Sequence, residues 1–174
     1  VCLFPTLQAA MDFDAYVYGR LIKFPNKEEI FGRQQIYDGN DCVCGTEPNL
    51  LINATEISFD GLWELVRSYG GVMFPAHIDK TANSLIANLG FIPPDSRFRT
   101  AEVKDLKKLH QLKREQPYLE NCRIISNSDA HYLEYIHEPE LTIQAEERSA
   151  AAVVEALARG LQERRRGEKV PGND

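Results

Sequence analysis

Short apolar runs alternate with longer amphipathic stretches along this chain, and each kind of pattern predicts its own element. Val1-Cys2-Leu3-Phe4 is a strand-like run stopped by Pro5. Thr6 can cap a helix through about Leu21, with Leu7, Ala10, Met11, Val17, Tyr18 and Leu21 on a rough apolar face. Phe24 to Gly32 reads as loop with one helical turn. Gln34 to Tyr37 and Cys42 to Cys44 form the arms of an expected hairpin, with Asp38-Gly39 supplying the turn chemistry. Leu50 to Asn53 is expected as a short strand or helical turn. Ser58 is a natural N-cap for a helix whose stripe (Phe59, Leu62, Trp63, Val66 and Tyr69) faces a core until Gly70-Gly71 ends it.

The second half repeats one arrangement. Val72 to Ala76 is an apolar run with His77 at its end, followed by Asp79 and Lys80. A short helix is expected between Asn83 and Leu89, a strand over Thr100 to Val103, and a helix from Leu106 to Glu115 that Pro117 closes. On that helix His110 stands among lysines and arginines and reads as solvated. Cys122 to Ser126 is the next strand, and it runs straight into Asn127-Ser128-Asp129-Ala130-His131. Tyr132 to Pro139 reads as loop, Leu141 to Gln144 as a last strand, and Ala150 to Leu161 as an amphipathic helix. Residues 162–174 read as a charged, disordered tail after a domain formed by residues 1–161. Alternation of strands and helices, with polar groups gathered at strand ends, predicts an α/β fold with mostly parallel strands.

The polar strand ends carry the candidate chemistry. Ligands of parallel sheets and barrels gather outside the carboxyl ends of the strands. Asp129 and His131 stand two apart, so an extended chain would send both side chains off one face. A carboxylate and an imidazole aimed at one point make half of a metal site; helix capping and packing are the plainer alternative. His77 repeats the motif on another strand. Trp63, at helical spacing, is expected in the core.

Composition narrows the partners. The 174 residues are 43% hydrophobic, enough for one ordinary core. A net charge of −6 offers no broad basic surface, which excludes a general nucleic-acid binder. No apolar run reaches the roughly 20 residues of a membrane span. The four cysteines form no persuasive set: Cys42 and Cys44 have one residue between them, unlike zinc or redox pairs, and Cys2 and Cys122 lie in apolar runs. Reduced thiols and a cytoplasmic location are therefore expected.

Phe74-Pro75-Ala76-His77 after one apolar strand, and Ser128-Asp129-Ala130-His131 after another, resemble the last two motifs of the PHP (polymerase and histidinol phosphatase) family. Asn83-Ser84-Leu85-Ile86, Gly90-Phe91-Ile92-Pro93 and the run from Ser126 to Leu133 resemble a bacterial branch of stand-alone PHP-domain phosphoesterases. The resemblance extends from about Val1 to about Ile143. It implies a distorted (β/α)7 barrel whose strand ends hold divalent metal ions (zinc, manganese or iron) that activate water for phosphoester hydrolysis. The implied substrate is a phosphorylated small molecule or nucleotide. Matched motif by motif, His77, Asp129 and His131 are metal ligands. Lys80, close behind His77, could contact a substrate phosphate, with a solvated lysine as the plainer reading, and Arg97 and Arg99 are weaker candidates for the same role. The family's early His-x-His pair, Asp-His pair and Glu have no counterpart in this sequence. The resemblance thus implies the C-terminal portion of such a domain, its N-terminal strands missing, with little turnover from these residues alone. Open sheet edges would then favour a homodimer. A non-catalytic α/β scaffold or interaction module, and a related metal-dependent hydrolase acting on C–N bonds, are the alternative readings.

Overall fold

The computed structural model describes residues 1–139 and 141–161, so the expected tail lies outside the described residues. In chain order the strands are β1 (Cys2–Leu3), β2 (Gln35–Tyr37), β3 (Val43–Thr46), β4 (Val72–Met73), β5 (Thr100–Glu102) and β6 (Arg123–Ile125). The helices are α1 (Leu7–Gly19), α2 (Glu28–Phe31), α3 (Phe59–Ser68), α4 (Leu85–Leu89), α5 (Leu109–Glu115) and α6 (Ala150–Arg159). The result is a mixed α/β chain in two compact units, one of Val1–Ala10 with the chain from Trp63 onward, the other of Met11–Leu62.

Capping chemistry sets most helix starts. Thr6 Oγ1 accepts from Ala9 N at 3.1 Å, Ser58 Oγ from Gly61 N at 3.2 Å, and Ser149 Oγ from Ala152 N at 3.1 Å, each satisfying a first-turn amide. Gly70, at φ +73°, ends the α3 stretch in the left-handed conformation that glycine tolerates. Gly71 follows for a different reason: a Cβ there would lie 2.7 Å from the Phe4 ring, where β1 passes close to β4.

In the Met11–Leu62 unit, β2 and β3 pair antiparallel about the expected turn. Asp38 Oδ1 accepts from Asn40 N (2.8 Å) and Cys42 N (3.0 Å), and these bonds hold its carboxyl below its ordinary value. The apolar core is small (Phe13, Leu21 and Leu50), and Gln34 adds polar ties to its loops. Its amide donates to Glu47 O and Asn49 O and accepts from Leu51 N. Leu50 to Asn53 forms a turn, not a strand.

In the unit from Trp63 onward, β1 runs antiparallel to β4, while β5 and β6 run parallel. The chain leaving β4 continues beside β5: Glu102 N donates to Pro75 O at 3.1 Å, and Ile78 N donates to Glu102 O at 2.8 Å. Helix α6 covers this layer. Val154 and Leu157 pack with Val72, Phe74 and Ile125, and Thr100 Oγ1 donates to Leu157 O at 2.7 Å.

Two expectations change here. Among the described residues only one of the three strand pairs is parallel, and no barrel closes. An apolar run specifies burial on both faces, not the direction of its neighbour. Leu141 to Gln144 joins no ladder; Ile143 instead packs against the β4–α6 core cluster.

Candidate functional site

The carboxyl ends of β4, β5 and β6 gather a polar cluster built largely on main-chain turns. After β4, Lys80 N donates to His77 O at 2.9 Å, closing a tight turn. Ser84, buried as the N-cap of α4, donates its hydroxyl to Lys80 O at 2.7 Å and fixes that turn from the other side. Asp79 accepts from Lys104 N (2.8 Å) and Asp105 N (2.9 Å), so the loop after β4 is tied to the loop after β5. Glu102, buried at the end of β5, accepts from His77 N at 3.0 Å through Oε2 and from Asn127 Nδ2 at 2.8 Å through Oε1. One carboxyl group thereby spans all three strand ends.

Asp129 is the electrostatic centre. Its Oδ2 lies 2.8 Å from Lys80 Nζ and 3.8 Å from Lys104 Nζ. The hydrogen bond and then the charge of Lys80 hold the Asp129 carboxyl below its ordinary value, against partial desolvation; His77 and Lys104 add smaller pulls in the same direction. Two buried polar atoms here have no protein partner, His77 Nδ1 and Ser126 Oγ. Backbone geometry is also unusual. His77 has φ +28° and Asp129 φ +51°, positive values that non-glycine residues adopt at a cost of order 1–3 kcal/mol.

The structure therefore brings Lys80 and Asp129 into contact and sets His77 near enough to influence that carboxyl. His131 does not join them. The left-handed turn at Asp129 breaks the extended run that would have aligned the two side chains, and the exposed His131 ring places Nδ1 3.1 Å from Asp129 O. Among the described residues, no group of three or more His, Cys, Asp or Glu side chains converges as a metal-binding set. Arg97 and Arg99 precede β5, at the amino ends of the strands, and do not belong to this cluster. His110 is exposed, as expected, with Arg114 2.8 Å from its Nδ1.

Glu102, Lys104 and Asn127 were not singled out by sequence reasoning. Glu102 had a usable signal, since a carboxyl within the apolar run Thr100 to Val103 must find donors when buried. Lys104 stands just past β5. No protein-family model matches this sequence, and neither the curated proteins nor the solved structures compared with it give a match.

Proposed function

We propose that the strand-end cluster is part of the active site of a metal-dependent phosphoesterase of PHP type, with a distorted barrel as the parent fold. The observation that carries this reading is the convergence of Lys80, Lys104 and Asp129, with His77 at the end of the neighbouring strand keeping a buried, unpartnered Nδ1. A nitrogen and a carboxylate donor suit zinc, manganese or iron, so His77 and Asp129 fit such an ion. His131 would join them by turning away from the Asp129 carbonyl. A bound divalent ion would supply an activated water and neutralise phosphate charge.

The chain's own residues do the rest. Lys80 and Lys104 offer two ammonium groups for the oxygens of a phosphorylated small molecule or nucleotide. Asp129 holds those lysines in the absence of substrate. Glu102 positions the His77 main chain and the Asn127 amide, fixing both strand ends without needing to touch substrate. Ser84 keeps the Lys80 turn in place.

Metal content by mass spectrometry tests the reading. The 174-residue chain loaded with zinc or manganese should retain on the order of one ion per chain, and Asp129→Ala with His131→Ala should lose it. Release of nitrophenol from p-nitrophenyl phosphate and its diester, by protein that retains metal, would place the chemistry at phosphoesters. An empty wild-type chain that matches the double variant would remove the metal site and with it this proposal.

A further inference from the structure

The amino ends of the same strands open into a cavity of about 740 Å³ that the strand-end chemistry does not use. Its volume lies within the roughly 300–1,000 Å³ of small-ligand sites. Four arginines line it, Arg67, Arg97, Arg99 and Arg159, against one lining carboxylate, Glu155. Arg97 is paired with Glu64, and Arg159 with Glu146 and Glu155. Arg67 and Arg99 have no carboxylate partner among the described residues. A chain of net charge −6 thus keeps two uncompensated guanidinium groups in one concavity.

The walls are arranged around those groups. Trp63 sits under two cations, with Arg97 at 5.2 Å and Arg67 at 6.0 Å from its ring centroid, contacts that hold both side chains at the cavity wall. Gly160 lets Arg99 approach the end of α6: a Cβ there would lie 2.7 Å from Arg99 Cβ. Ser96, another lining residue, keeps a buried hydroxyl with no partner in the protein. A buried hydroxyl left without a partner is costly.

We infer that this cavity is a second ligand site, which takes a small organic phosphate carrying at least two negative charges. Guanidinium forks match phosphate oxygens in pairs. The concave shape and the acidic remainder of the chain favour a small anion over a nucleic acid.

Trp63 is the chain's single tryptophan and lines this cavity, so its fluorescence can report on binding there. Inorganic pyrophosphate and ADP, titrated separately in EDTA to keep metal from the strand-end site, should each give a saturable change. Arg67→Ala and Arg99→Ala should each raise the half-saturation concentration about tenfold, the loss expected for one charged hydrogen bond. Arg99→Lys should lose less, while Asp129→Asn and the charge control Arg33→Ala should match wild type. Calorimetry repeats the titration where a substitution alters the Trp63 signal itself. Circular dichroism identifies any variant that fails to fold, and Arg67→Ala, on the exposed face of α3, then decides. Absence of saturable binding of both probes to wild type at millimolar concentrations would overturn the inference. So would binding that is lost in Asp129→Asn or Arg33→Ala but kept in the two cavity variants.

Discussion

The two ends of the β4–β6 layer handle charge in opposite ways. At the carboxyl ends, lysines and carboxyl groups are interleaved, and a buried Glu102 ties neighbouring main chains together. At the amino ends, guanidinium groups outnumber carboxylates and lie over an aromatic ring. A network of both signs fixes geometry before any ligand arrives, whereas an excess of one sign leaves its potential for a ligand. Under the two proposals, the first end holds reacting groups in place and the second draws in an anion.

The largest effect that would break this contrast comes from Glu102. Glu102→Ala leaves the His77 amide and the Asn127 side chain without their acceptor and should cost about 2–3 kcal/mol of stability in urea unfolding. Glu102→Gln keeps one acceptor oxygen and should cost about half of that. An unchanged midpoint for the alanine variant would show that this end is not held by Glu102.

Asp129 sharpens the contrast through pH. Its folded carboxyl titrates below the ordinary 3.8, so its contribution is present above that value and is lost as pH falls through the lower folded one. Asp129→Asn should therefore flatten the acid limb of the stability profile. Lys80 and Asp129 are partly exposed, so the effect at neutral pH should stay within about 1 kcal/mol. An acid limb identical to wild type would count against the Lys80 pairing.

The smallest effect at neutral pH belongs to the amino end. Burial pushes the Cys122 thiol up to about 11, with Arg99 and Lys113 opposing. At pH 8 iodoacetamide should modify exposed Cys42 and Cys44 well before Cys122, as peptide mapping would reveal. Because the folded value is raised, the thiol's contribution is whole below the ordinary 9.0 and declines as pH rises through about 11. Cys122→Ala should remove that alkaline decline. Equal labelling of all three thiols would show that this end of the layer opens readily.

Helices were the most legible elements, because a cap and a 3.6-residue stripe are both local. Thr6 and Ser58, the caps expected from the sequence, start their helices through their own hydroxyls, and Ser149, not singled out there, does the same for α6. The Asp38 turn was equally readable, since its carboxylate bonds amides within four residues. Strand partners were not. Val1 to Phe4 and Val72 to Ala76 are apolar runs alike, and nothing in either says that Leu3 faces Val72 in antiparallel register. Trp63 shows the same limit: a helical stripe marks the side that meets other residues, but here part of that side lines a cavity.

By itself the sequence determined where helices begin, where the hairpin turns, and that His77 and Asp129 follow strands, for these depend on neighbours a few residues away. Only the tertiary structure decided that Asp129 meets Lys80 across 49 positions, that His131 turns back on its own main chain, and that Arg97 and Arg99 serve the opposite end. Such outcomes depend on strand direction and on positive φ angles at strand ends. Both are fixed by long-range hydrogen bonds and packing that no local pattern encodes.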